Sequence, residues 1–158
     1  MAKIFCVANQ KGGVGKTTST VNLCAGLASV GQRVLMVDLD PQGNATMSSG
    51  VDKREMKLSV YDVLLDSASV AEARIRSTWG DDGARSKFPT YDILGANRDL
   101  AGAEVELVDV DNRENRLKRA LAVVDAEYDF VLIDCPPSLS MLTLNGLCAA
   151  HGVIVPMQ

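Results

Sequence analysis

Aromatic residues are scarce: one Trp, three Tyr and three Phe make up 4% of 158 residues. The core must therefore be aliphatic, and the 47% of apolar residues is enough to fill one. A basic excess is also missing. Sixteen Lys and Arg face 20 Asp and Glu, for a net charge of −4 and a pI of about 4.9. A domain that binds nucleic acid unaided ordinarily carries a basic footprint, so the overall balance argues against that and leaves room only for a local patch. Histidine is nearly absent. His151 stands alone beside a predicted strand start and reads as structural. No Ser/His/Asp or Cys/His set can be assembled, so any catalysis must rest on positioning and electrostatics. The four cysteines, Cys6, Cys24, Cys135 and Cys148, form no C-x-x-C pair and no cluster of zinc-ligand spacing. Each sits in an apolar run, where a free thiol behaves as a small hydrophobe. No stretch approaches the ~20 apolar residues needed to span a bilayer. The N-terminus runs from Met1-Ala2-Lys3 into a short apolar strand, without the apolar run and cleavage site of a leader. The expectation is one soluble, cytoplasmic domain over residues 1–158.

What is present is alternation. Apolar runs at 3–9, 33–38, 91–96, 130–134 and 152–156 predict five strands. Helical spacing predicts helices over 17–30, from 59 to 65, over 112–126 and over 139–150. Val21, Cys24, Ala25 and Ala28 share one face of the first helix, and Gly31 closes it. Ser59 is a candidate cap. Leu117, Leu121 and Val124 share a face of the third. The strands are apolar nearly throughout, which suits parallel strands covered on both sides. Residues 40–57, rich in Gly, Asn and Ser, predict a loop. Residues 77–89, with Gly80, Asp81, Asp82, Gly83 and Pro89, predict a surface loop or hairpin. The fold class expected is α/β, a mostly parallel, doubly wound sheet flanked by helices. A sheet of this kind needs a helix after its fifth strand, so a longer parent protein is expected, with its C-terminal part absent here.

The strongest motif is Lys11-Gly12-Gly13-Val14-Gly15-Lys16-Thr17-Thr18, placed after a strand and opening a helix. Glycines let the backbone curl so that several N–H groups converge on phosphate oxygens. The helix N-terminus adds unpaired N–H groups and partial positive charge. Lys16 offers a full charge to the β- and γ-phosphates, and Thr17 a hydroxyl to Mg²⁺. The match to G-x-x-x-x-G-K-[ST] is incomplete, because Gln10 stands where the first glycine belongs and Lys11 is an extra cation within the loop.

Two carboxylate sites accompany the loop. Val37-Asp38-Leu39-Asp40-Pro41-Gln42 follows the second strand, and carboxylates at the C-terminal end of a parallel strand face the ligand crevice. Asp38 and Asp40 lie two apart, so an extended chain points them the same way. Such a pair can hold metal-bound water or orient an attacking water. Val131-Leu132-Ile133-Asp134 is a Walker B pattern, in which Asp134 binds Mg²⁺ directly or through water.

The loop K-G-G-V-G-K-T-T resembles the deviant Walker A motif of the ParA/MinD group of P-loop ATPases. DLDPQGNAT and DCPPS followed by LTLNGL resemble the two switch segments of its ParA/Soj members. The resemblance covers residues 2–50 and 127–158, with little in between. It implies a P-loop NTPase fold, ATP and Mg²⁺ as ligands, and a homodimer sandwiching two ATP molecules. It assigns Lys11 to the partner's nucleotide, Asp40 to the hydrolytic water and Asp38 to the edge of the metal shell. On the residues alone, Lys11 is equally a solvated surface charge. The role implied is an ATPase switch in chromosome or plasmid partitioning, triggered by a ParB-type activator and binding DNA without sequence preference. The alternative is a ParA-like ATPase that positions other cargo, or works at the membrane as MinD does, though this chain has no membrane segment. One basic cluster, Arg113, Arg116, Lys118 and Arg119, reads as the solvated face of a helix.

Overall fold

The computed structural model describes residues 1–8, 16–77 and 90–156. Its elements are β1 (Lys3–Val7), α1 (Lys16–Ser29), β2 (Val34–Asp38), α2 (Asn44–Ser48), α3 (Val60–Leu64), α4 (Val70–Ala73), β3 (Ile75–Arg76), β4 (Asp92–Leu94), α5 (Ala103–Glu106), α6 (Arg116–Val123), β5 (Phe130–Asp134), α7 (Met141–Ala149) and β6 (Gly152–Ile154). Short 3-10 turns at Arg98–Gly102, Arg113–Asn115 and Asp125–Glu127 complete the described chain.

The six strands form one sheet in the order β3-β4-β2-β5-β1-β6. Every pairing is parallel except β3 with β4. The continuous apolar runs have their reason in two cores, one on each face. Leu35 and Val37 of β2, with Val131 and Ile133 of β5, point to a core shared with α3, α6 and α7. Val34, Met36 and Leu132 point the other way, against Val21 and Cys24 of α1 and Tyr91. A period of two along each strand thus divides one apolar run between two layers.

Most expected elements form, with shorter ends. Gly31 terminates α1 at φ +87°, a left-handed conformation that costs glycine little. Ser59 caps α3 in a reciprocal pair with Asp62. Leu117, Leu121 and Val124 are buried. Cys6, Cys24 and Cys135 are buried free thiols, and Cys148 is half-buried. His151 is structural: its Nδ1 accepts from the Ile4 N–H, and its own N–H donates to the Ile4 carbonyl.

Three expectations are corrected. Residues 40–57 are not all loop, because α2 forms there behind Gly43, at φ +67°. A side chain on Gly43 would come within 2.6 Å of the Ala96 carbonyl oxygen. The sheet has a sixth, antiparallel strand, β3, two residues long and too short for a period to show. The helix over 112–126 is divided: α6 carries its middle and 3-10 turns its ends. Of the loop predicted at 77–89, only Ser77 is described. It is buried, and its Oγ accepts from the Tyr91 N–H. No described helix is long and apolar enough to cross a membrane.

Candidate functional site

The strand order decides where a site can lie. From β1 the chain passes through α1 to β2, on one side of β5. From β5 it passes through α7 to β6, on the far side of β1. Paths that diverge from two neighbouring parallel strands open a crevice at their C-terminal ends, where α/β sheets bind ligands. The end of β5 is Asp134, and α1 opens with Lys16.

Lys16 Nζ donates to Asp134 Oδ1 at 2.7 Å, and the Thr17 hydroxyl donates to Oδ2 at 3.1 Å. Asp134 is fully buried and the Lys16 side chain is only 9% exposed. Burial pushes the Asp134 carboxyl above its ordinary range, while Lys16 pulls the other way. Thr20, one turn along α1, bonds the Lys16 carbonyl and lies 3.4 Å from Asp134 Oδ1. Thr20 was missed in the sequence, although its place four residues after Lys16 puts it on the same helix face.

Asp38 sits directly across from Asp134 in the β2–β5 register. Its Oδ1 accepts from the Asp40 N–H at 3.0 Å. Its Oδ2 accepts from the Thr46 N–H at 3.0 Å and the Thr46 hydroxyl at 2.8 Å. The side chain therefore faces into the turn that carries Asp40 and into α2. Burial, and then the charge of Asp134, push the Asp38 carboxyl up to about 7 against these bonds. Asp40 Oδ1 accepts from the Gln42 N–H, and the Asp40 carbonyl accepts from the Gly43 N–H. Its charge bears on Asp134, so the carboxylates of both strand ends share one neighbourhood. Thr46, the last residue of DLDPQGNAT, also accepts from the Ala96 N–H, which ties this turn to the end of β4.

Thr18 lies exposed in the first turn of α1. Lys11, Gly12, Gly13, Val14 and Gly15 lie outside the described residues. Asp134, Lys16 and Thr17 meet directly, and Asp38 and Asp40 stand beside them. The helix after β5 is held by partners that were not foreseen. Glu104 accepts from the Met141 and Leu142 N–H groups, and the Ser140 hydroxyl from that of Thr143. Asn145, fully buried, accepts from the Leu117 N–H and donates to the Arg113 and Met141 carbonyls.

Residues 2–158 match the family model described as an AAA domain. The chain is 50% identical to the sporulation initiation inhibitor protein Soj of Bacillus subtilis, across its whole length and 59% of Soj's. It is 46% identical to the chromosome partitioning protein ParA of Myxococcus xanthus, across its whole length and 53% of that protein's. It belongs to the ParA/Soj family of AAA-domain proteins. This ParA/Soj chain spans a little over half the length of the curated relatives it matches. Among solved structures, a Mycobacterium smegmatis protein described as cobyrinic acid a,c-diamide synthase, with bound ATP analogue and magnesium, superposes at TM-score 0.90. That pair shares 50% identity over 99% of this chain and 60% of the other. A Borrelia burgdorferi protein bound to AMPPNP and described as a plasmid partition protein superposes at TM-score 0.82, with 26% identity over 99% of this chain and 62% of the other.

Proposed function

We propose that this chain is the nucleotide-binding core of a cytoplasmic Mg-ATP hydrolase that works as a dimerisation switch in chromosome or plasmid partitioning. The observation that carries this reading is the convergence of Lys16 and Thr17, on the first turn of α1, upon Asp134 at the C-terminal end of β5.

The residues fit a nucleotide with a divalent cation. Asp38, Asp40 and Asp134 are buried beside one buried ammonium, Lys16, among the described residues. That local surplus of carboxyl groups over ammonium groups suits a cation, which would favour their ionised forms. Thr17 and Asp134 would hold magnesium, with Asp38 beside its shell. No three His, Cys, Asp or Glu of the described residues converge on a metal site; phosphate oxygens and water would complete a shell begun by Thr17 and Asp134. When bound, magnesium neutralises charge on the phosphate oxygens.

The chain's own residues do the rest. The N–H groups of Gly12, Gly13, Val14, Gly15, Lys16, Thr17 and Thr18 cradle the phosphates. Lys16 exchanges its bond to Asp134 for the β- and γ-phosphates. Asp40, fixed by the Asp38 contact behind it, orients the attacking water. Lys11 reaches the nucleotide of a second copy, as a basic group supplied in trans. A ParB-type activator and non-specific DNA are the partners that the ParA and Soj relatives suggest. The synthase description belongs to the M. smegmatis protein; the partition reading rests on the Soj and ParA relatives instead.

Co-sedimentation of the full-length protein with duplex DNA tests the role. Pelleting with ATP, and little with ADP or no nucleotide, is expected. Equal pelleting in all three states, or none in any, overturns the switch.

A further inference from the structure

In the basic cluster at the start of α6, Arg113, Lys118 and Arg119 lie exposed as the sequence suggests, but Arg116 does not. Arg116 is largely buried, its side chain 19% exposed, and its Nε–H is the one buried side-chain polar atom among the described residues with no hydrogen-bond partner. Its nearest acid, Asp66, is 3.9 Å away and itself 84% exposed, too distant for a hydrogen bond. A buried donor left unmade is costly. Arg116, Lys118 and Arg119 also crowd the first turn of a helix that has no acidic residue there, where the helix dipole already disfavours cations.

Arg116 lines a cleft of about 310 Å³ between α3, α4 and α6. On α6 the lining follows one stripe, Arg116, Arg119, Ala120 and Val123; opposite stand Val63 and Val70. The cleft therefore sets two guanidiniums and one carboxylate, Asp66, against an aliphatic wall, and Val123 in that wall is 79% exposed. None of these residues belongs to the nucleotide site.

We infer that this cleft docks a short acidic–apolar segment of a partner protein. An incoming carboxylate pairs with Arg116 and Arg119, and an aliphatic side chain beside it lies along Val70 and Val123. A small turn of the Arg116 guanidinium into the cleft gives its Nε–H an acceptor and, among the described residues, gives up the loose Asp66 contact. Paired N–H groups of a guanidinium match a carboxylate in geometry as well as charge. Nucleic acid fits less well. Arg113, Lys118 and Arg119 are exposed, but the cation that lacks an acceptor, Arg116, is sunk among aliphatic side chains with the Asp66 carboxylate beside it, where a phosphate backbone would meet both.

The test uses the full-length protein and a fluorescein-labelled decapeptide of alternating Leu and Glu, with a Gln-for-Glu version as control. Anisotropy reads affinity, and hydrogen exchange locates the site. Saturable binding of the Glu peptide is expected, with slowed exchange over residues 63–70 and 116–124. Arg116→Gln and Val123→Glu should each weaken it at least tenfold, as should the Gln peptide. Because Val123 is exposed, its variant tests the cleft even if Arg116→Gln fails to fold. Absent binding, protection elsewhere, or unchanged affinity in Val123→Glu overturns the inference. So does exchange over 116–124 already slowed in the free protein by its own chain, or displacement of the peptide by duplex DNA.

Discussion

Lys16 Nζ donates to Asp134 Oδ1 at 2.7 Å, joining the first residue of α1 to the last residue of β5 across a buried boundary. In that geometry the lysine serves the fold before it serves a phosphate. Lys16→Ala should therefore do two things. It should weaken Mg-ATP binding at least tenfold by calorimetric titration. It should also lower unfolding stability by about 3 kcal/mol in urea, because removing one partner of a buried pair strands the other. Unchanged affinity would place the nucleotide elsewhere.

Asp40 is held by its backbone to Asp38, while among the described residues its Oδ1 accepts a local turn N–H, that of Gln42. Its loss should spare both the fold and the phosphate cradle. Asp40→Ala should keep ATP affinity within about threefold of the parent and lose at least a hundredfold in turnover, the range seen when a positioned catalytic group is removed. Steady-state phosphate release reads the outcome, and retained turnover would move the water-positioning role away from Asp40.

Lys11 and Lys16 should separate by subunit. Lys11→Ala should fold and bind nucleotide, yet lose ATP-dependent dimerisation and with it hydrolysis. Light scattering of the full-length protein with a slowly hydrolysed ATP analogue checks this. A variant that dimerises and hydrolyses like the parent makes Lys11 a surface charge.

Asp38 should leave a pH signature on stability. Its carboxyl is pushed from 3.8 up to about 7, first by burial and then by Asp134. Between those values the folded protein holds a proton that the unfolded chain has released. Stability therefore falls as pH rises through this window and is greatest below it. Asp134, also raised, acts in the same direction. Without nucleotide or magnesium, the urea midpoint should drop between about pH 4.5 and 7.5, and Asp38→Asn should drop less over the same range. An equal drop in both proteins would mean that Asp38 does not titrate there.

Several features were legible because they repeat or because their chemistry is local. The run from Phe130 to Asp134 is apolar for four residues and then ends on a carboxylate, and β5 has those bounds. Lys16-Thr17 opens α1 as its spacing after the glycines required. Ser59 caps α3 because a hydroxyl three residues before a carboxylate satisfies two orphan N–H groups within one turn. The misses have a different character. α2 and β3 are too short for a period to register, and both lean on distant residues: Gly43 on the carbonyl of Ala96, β3 on β4.

The sequence by itself determined the alternation of strands and helices, the phosphate loop and the carboxylates at the strand ends, because each depends on neighbours along the chain. Only the tertiary structure decided what those groups face. Asp38 turns inward to hold Asp40 and Thr46, Asp134 receives Lys16 and Thr17 together, and Arg116 sinks into a cleft where a helical charge run predicts solvent. The physical reason is desolvation. Whether a charge is paired, stranded or free depends on which distant surfaces remove its water, and those surfaces meet only when the sheet has closed between its two layers.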